Sequence, residues 1–289
     1  MSTIDTPTIG LPADDGAKPT PDDLQMWSVT TIIGALDKPA LIYWAAEETA
    51  KAAVHQHDAW IGLADQDPED AVEWLKKARF RGVRGARTAA ELGSAVHAAC
   101  ESYALTGLRP GVDDEVRPFL DQFDRWLNDF QPEFLATEVT VYSPTYNYAG
   151  TLDAICVIDG VRFLVDYKTT RKSVDGKGKV TSPYPEQVAL QLAAYRYAEM
   201  AAVWRPRRFE KYRRRYYLLG AAEQEQAVPV PEVDTGLVLH LTPEHAMAYP
   251  MRCDAPVHEA FLHTLEAHRW MNADSKLVMG EPLIPTKEA

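Results

Sequence analysis

Between residues 118 and 130 the apolar side chains fall three or four positions apart: Phe119, Leu120, Phe123, Trp126, Leu127 and Phe130. That spacing keeps them on one face of an α-helix. Immediately afterwards the pattern becomes that of strands, at 134–142, 150–158 and 161–167, and Asp159-Gly160 between the last two is a tight-hairpin signal. A helix is expected over 186–203, with Pro206 beyond it, then strands over 212–219 and 237–241 joined by a loop of Glu, Gln, Pro and Val, and a closing helix from 256 to about 271. Upstream, Ser28 or Thr30 caps a short helix, and Pro39 suits the first turn of a longer one. Further helices cover 68 to about 80, with Ala71, Leu75 and Ala78 on one side, and 88–105, which Gly107 ends. Helices, three strands, a helix, then strands and a helix describe an α/β domain around a mixed sheet with a helical front section. The expected division is a disordered acidic, Pro-rich tail over 1–25, a helical N-terminal section over 26–87 and an α/β core over 88–280.

Charge changes this picture by its distribution. The net charge is −12, which argues against a protein that coats nucleic acid through bulk positive charge. Three basic runs nevertheless stand out. Lys76, Lys77, Arg79, Arg81, Arg84 and Arg87 have no acid among them. Arg205, Arg207, Arg208, Lys211, Arg213, Arg214 and Arg215 are interrupted only by Glu210, and Arg171, Lys172, Lys177 and Lys179 are offset by Asp175. Such runs suit a local groove for a polyanion, or a solvated face. Cys100, Cys156 and Cys253 are widely spaced, which points to neither a disulfide framework nor a zinc knuckle. No apolar run of 18 residues occurs, so the chain reads as cytoplasmic with no membrane partner.

The candidate chemistry lies on the strands. Asp153 sits inside Gly150-Thr-Leu-Asp-Ala-Ile-Cys-Val-Ile, and an acid in such an apolar strand needs a partner. Asp166 and Lys168 end the next strand, where alternation puts both on one face and the hairpin brings Asp153 towards them. Two carboxylates beside a cation suit Mg²⁺ or Mn²⁺ and phosphodiester hydrolysis, with the Tyr167 carbonyl as a further metal donor. The plain alternative for Asp-x-Lys is a surface ion pair. His97 shares a helical face with Glu101, and small residues around it permit close approach to other backbone, although a lone helix histidine also serves in cores. Gln187, Gln191 and Tyr195 form a polar stripe on a later helix, and Glu138 is another carboxylate in an apolar-leaning strand.

The ordered set Gly93-x-x-x-His97, Glu138, Gly150-Thr-x-Asp153, Asp166-x-Lys168 and Gln191-x-x-x-Tyr195 resembles the RecB-like branch of the PD-(D/E)XK nuclease superfamily, and the front segment from Trp27 resembles exonucleases of actinobacterial phages. The resemblance covers about 90–200. It implies a restriction-endonuclease-like core in which His97, Asp153, Asp166 and the Tyr167 carbonyl bind the metal, Lys168 is the catalytic lysine, and Gln191 and Tyr195 support the site or contact the DNA backbone. Glu138 would be accessory. Leu152 replaces the proline of the textual signature, and Asp166 its more usual glutamate. Three scattered cysteines cannot supply the four that hold an iron–sulfur cluster in related nucleases, so no cluster is expected. No helicase-type Gly-Lys-Thr/Ser loop occurs, so unwinding would fall to a partner. The implied function is metal-dependent DNA exonuclease activity in phage recombination, replication or repair, inside the host cytoplasm. A recombinase, a single-strand-binding protein or a helicase is the kind of protein partner this implies. The alternatives are a structure-dependent endonuclease of the same fold and a non-catalytic DNA-binding subunit.

Overall fold

The stretches with strand alternation pair into one mixed sheet, and the periodic helices bury their apolar faces on its two sides. The computed structural model describes residues 24–36, 39–78, 87–174, 178, 185–202, 215–218 and 226–282. Its elements run β1 (Leu24–Ser28), α1 (Val29–Ile33), α2 (Pro39–His55), α3 (His57–Gln66), α4 (Pro68–Lys76), α5 (Ala89–Thr106), α6 (Arg117–Phe130), β2 (Glu133–Ser143), β3 (Tyr148–Ile158) and β4 (Val161–Thr169). They continue with α7 (Pro185–Arg196), β5 (Met200–Ala201), β6 (Arg215–Leu218), β7 (Val228–Pro229), β8 (Thr235–Leu241), β9 (Ala246–Met251) and α8 (Ala255–Asn272).

The sheet order among the described residues is β7-β5-β2-β3-β4-β8-β9, with β1 pairing both β3 and β6. The β4–β8 and β1–β3 pairings are parallel and the others antiparallel. This is a mixed α/β fold with a central sheet flanked by helices. On one face α1, α7 and α8 cover Leu152, Ile155, Leu164 and Val238; on the other, α5 and α6 cover Ala154, Cys156, Val165, Tyr167 and Leu239. The apolar stripe of α6 does what its spacing predicts, burying Phe119, Leu120, Phe123 and Trp126. The helices α2, α3 and α4 pack on one another. No helix among the described residues is long and apolar enough to cross a membrane.

Three departures from the sequence pattern have tertiary causes. Ser28 stands at the N-cap of the short helix α1, as read, but strand β1 before it was not foreseen: Trp27 and Ser28 end that strand, paired along β3 and β6. The helix expected over 186–203 stops at Arg196, and Met200–Ala201 pairs instead with Val141 and Tyr142 on β2. An open sheet edge there outweighs the helix propensity of Met and Ala. Strand β9, not foreseen, completes an antiparallel pair with β8 from Gly236↔Met251 to Leu241↔Ala246. Of the strand expected over 212–219, residues 212–214 and 219 lie outside the described residues, as does most of the 1–25 tail.

Candidate active site

The site begins with a turn. Asp159 and Gly160 both have positive φ, 49° and 80°, as a two-residue hairpin matched to the strand twist requires. The turn fixes Ile158 opposite Val161, and the ladder continues in that register to Ala154↔Val165. One further step in the same register would set Asp153 opposite Asp166, but the paired ladder ends at Ala154↔Val165. The ladder stops at that step because β3 is shared. Its other edge lies along β2 for nearly its whole length, while this edge gives Tyr148 and Ala149 to β1 and residues 154–158 to β4. Residues 150–153 pair with neither, so the two acids stand at the mouth of a fork between β1 and β4.

Each carboxylate is held differently. Asp153 Oδ2 accepts from the Tyr167 backbone N–H at 2.6 Å and lies 3.6 Å from His97 Nδ1. Asp166 is only 2% exposed. Its Oδ1 accepts from Gln191 Nε2 at 2.8 Å, and its Oδ2 forms an ion pair with Lys168. That oxygen is buried and meets no hydrogen bond of good geometry. Burial pushes the Asp166 carboxyl above the ordinary range; the Lys168 charge pulls it down, and the Asp153 charge pushes it up again. Lys168 is more open, with a third of its side chain exposed, so the site grades from a dry carboxylate to a solvent-facing ammonium.

Helix α5 brings His97. Its start is fixed by a reciprocal cap, the Thr88 hydroxyl accepting from Glu91 N–H at 3.2 Å and the Glu91 carboxylate from Thr88 N–H at 2.7 Å. At Gly93 a Cβ would lie 3.3 Å from Thr169 Oγ1, so the glycine lets the helix settle on the end of β4. The His97 ring meets the Tyr167 ring edge-on at 5.7 Å. Burial disfavours the imidazolium, but the hydrogen bond and charge of Asp153, with the charge of Asp166, outweigh it and hold the pKa above the ordinary value. The Tyr167 ring is buried beneath α5 and α6, while its N–H faces the fork; its C=O points to the same strand edge, since the N–H and C=O of one strand residue share an edge.

On the other side of the sheet, α7 carries Gln191 and Tyr195, which touch through Gln191 Nε2 and the Tyr195 hydroxyl at 3.4 Å. Tyr195 lies against Gly150, where a Cβ would come within 3.0 Å of the hydroxyl oxygen and 3.1 Å of Cζ. Glu138 falls between the pairs Thr137↔Ala154 and Val139↔Leu152, beside Asp153 on the neighbouring strand. Its φ of 49° is a left-handed conformation uncommon for a residue with a side chain. Its charge helps to raise the pKa of Tyr167, after burial and the charges of Cys100, Asp153 and Cys156. His97, Glu138, Asp153, Asp166, Tyr167, Lys168, Gln191 and Tyr195 therefore lie at the fork or on the elements next to it. Gln187, on the same helix, makes no contact that enters this arrangement. Among the described residues no three His, Cys, Asp or Glu side chains stand arranged to hold a metal ion.

No protein-family model and no curated protein matches the chain. A solved structure described as "Crystal structure of SSO0001" aligns over 89% of this chain and 80% of that one, at 13% identity and a TM-score of 0.34. A likeness so distant carries no argument about fold or chemistry.

Two features escaped the sequence reading. One is His240, fully buried in β8 and in register with Lys168. The reasoning that flagged Asp153, a polar residue in an apolar strand, applies equally to it. The other is what the basic runs do. Arg87 pairs with Asp113 through both guanidinium nitrogens at 2.9 and 2.6 Å, and Arg171 pairs with Glu115 at 2.9 Å while donating to the Arg87 carbonyl at 2.5 Å. Lys76 pairs with Glu73 at 2.7 Å. These cations are engaged within the chain, and Arg87 with Arg171 ties the start of α5 to the segment after β4. Arg79, Arg81, Arg84, Lys177, Lys179 and the run from Arg205 to Arg214 lie outside the described residues.

Proposed function

We propose that the chain is a divalent-metal-dependent deoxyribonuclease of the RecB-like PD-(D/E)XK type, working as an exonuclease in phage recombination, replication or repair. The observation that carries the reading is that the Asp153 and Asp166 carboxylates feel each other's charge beside the β1–β4 fork, with Lys168 paired to Asp166 and His97 near Asp153. The donor set fits a hard cation: two carboxylates, one of them with a buried oxygen lacking a good hydrogen bond, beside an imidazole. His97, Asp153, Asp166 and the Tyr167 carbonyl would hold Mg²⁺ or Mn²⁺. As the side chains stand they do not converge on one point, so binding requires them to draw together and Lys168 to yield Asp166 Oδ2. The ion, when bound, supplies electrophilic activation of the phosphate and lowers the pKa of a water.

The remaining work falls to side chains. Lys168 Nζ, at the open end of the site, orients the attacking water and stabilises charge that develops on the phosphate oxygens. Gln191 keeps Asp166 Oδ1 turned into the site, and Tyr195 braces Gln191 from behind. Glu138 supports the site from β2.

Digestion of 5′- and 3′-labelled linear DNA, single- and double-stranded, beside closed circular DNA tests the reading. Mg²⁺- or Mn²⁺-dependent loss of the linear substrates with the circles spared is the expected result. Asp153→Ala should abolish it, and Lys168→Ala should reduce single-turnover cleavage by on the order of 10²–10⁴ while DNA affinity in Ca²⁺ changes far less. Cleavage of circles would favour the endonuclease alternative. Metal-dependent cleavage by Asp153→Ala within tenfold of wild type would remove the assignment.

A further inference from the structure

Strand β6 begins with a cation that the proposed chemistry does not use. Arg215 is in register with Trp27 across the antiparallel β1–β6 ladder, and Tyr217 with Gln25, so these four side chains share one face of the pair of strands. The Arg215 guanidinium lies over the Trp27 ring. That ring is held in turn by His268 of α8, which meets it edge-on at 4.5 Å. On the same face Gln25 Nε2 donates to the Tyr217 hydroxyl at 2.9 Å. Met26, Tyr216 and Leu218 are buried together in one apolar cluster on the other face. Burial of that face fixes the register, and with it the stack of Arg215 on Trp27.

Arg215 is partly buried, and among the described residues no carboxylate pairs with it. Burial pulls its pKa down to about 10, and what opposes that pull is the Tyr217 phenol rather than an acid. An aromatic face offsets only part of what a charge loses on leaving water. Arg87 and Arg171, by contrast, are matched by Asp113 and Glu115. A flat guanidinium fixed on a ring suits a phosphate, two of whose oxygens its parallel N–H groups can meet at once. The position relative to the fork follows from the ladders. Trp27 lies beside Tyr148, five positions before Asp153 on β3, and β6 lies beyond β1. At about 3.3 Å per residue and about 4.8 Å per strand, Arg215 is about 20 Å from Asp153. Phosphates recur about every 3.4 Å along one strand of a duplex, so a strand bound at the fork has linkages at that range.

We propose that Arg215, laid on the Trp27 ring, binds a backbone phosphate of a nucleic-acid strand about 20 Å from Asp153. That the phosphate belongs to nucleic acid rests on the nuclease reading; the fit to a phosphate group does not. Equilibrium binding of an oligonucleotide strand and of its duplex in Ca²⁺, across a salt series, tests the site. Arg215→Gln should weaken binding about tenfold or more, the scale of one hydrogen-bonded contact between charged groups. It should also shallow the fall of log affinity with log salt by about 0.7 for the strand or about 0.9 for the duplex, the loss of one neutralised phosphate. Arg215→Lys keeps the charge and should restore the slope with only part of the affinity, because an ammonium cannot lie flat on the ring. A cation that merely packs on Trp27 would leave the slope alone, so an unchanged slope in folded Arg215→Gln protein overturns the proposal. In the unmodified protein the Arg215 Nε–H NMR resonance should move on titration with the strand, which decides the matter if both variants unfold. A resonance that the strand leaves in place defeats the proposal, and so does one that moves with inorganic phosphate and not with the strand, which would assign the site to a free phosphate. Should the strand bind in this way and never be cut, the nuclease reading fails and the phosphate site stands.

Discussion

Gly150→Ala is the most revealing single substitution outside the charged residues, because its effect can be worked out from geometry. The added Cβ would sit 3.0 Å from the Tyr195 hydroxyl oxygen and 3.1 Å from Cζ, with Cε1 nearer still. Carbon atoms settle at roughly 3.5–4.0 Å, so the ring must retreat by about an ångström or more. It has little room, since Tyr195 is 3% exposed and packs in the α7-side core. Overpacking of this kind costs about 1–3 kcal/mol. Loss of glycine entropy in the unfolded chain returns about 0.4–1 kcal/mol, leaving a net destabilisation of about 1–2 kcal/mol. The displacement also reaches the site: Tyr195 meets Gln191 at 3.4 Å, and Gln191 holds Asp166 at 2.8 Å. Urea denaturation of Gly150→Ala, Tyr195→Leu and the double variant measures both parts. The leucine makes room, so the double variant should be more stable than the sum of the two losses predicts, by at least about 0.5 kcal/mol. Additive losses, or a Gly150→Ala protein as stable as wild type, would refute the close-approach argument.

Other consequences can be checked separately. Without metal, the raised pKa of Asp166 means that its stabilising contribution is complete below the unfolded value near 4 and is lost as pH climbs through the folded one. Asp166→Asn should flatten that decline and raise metal-free stability at neutral pH, by about 1.4 kcal/mol for each pKa unit of elevation; a lower melting temperature across the range would contradict it. His97→Ala should raise the Mg²⁺ or Mn²⁺ concentration needed for half-maximal cleavage, and an unchanged metal titration would return His97 to a packing role. Because Arg87 and Arg171 are engaged by Asp113 and Glu115, their Ala variants should leave the salt dependence of DNA binding unaltered. Free phosphate contacts would instead reduce that slope by about 0.9 per phosphate, which filter binding across a salt series would detect.

The sequence alone determined more of the site than of the sheet around it. Asp159-Gly160 is a local signal, and a two-residue turn sets the register of the hairpin up to Ala154↔Val165, so the approach of Asp153 to Asp166 was already implied by counting back from the turn. Alternation along β4 put Asp166 and Lys168 on one face, and four-residue spacing on α7 put Gln191 beside Tyr195. These are consequences of backbone periods of two and 3.6 residues, and they act within a few residues of chain. What the tertiary structure decided was which distant segments fill the edges. β1 takes the start of β3 and so opens the fork; β8 lies parallel to β4, about 70 positions later in the chain, and sets His240 beside Lys168. β5 forms where helix propensity pointed the other way, because β2 offers an unpaired edge, and Arg87 and Arg171 spend their charges on Asp113 and Glu115. Edge pairing and ion pairing between segments so far apart depend on how the whole chain closes on itself, and no periodicity in the sequence records them.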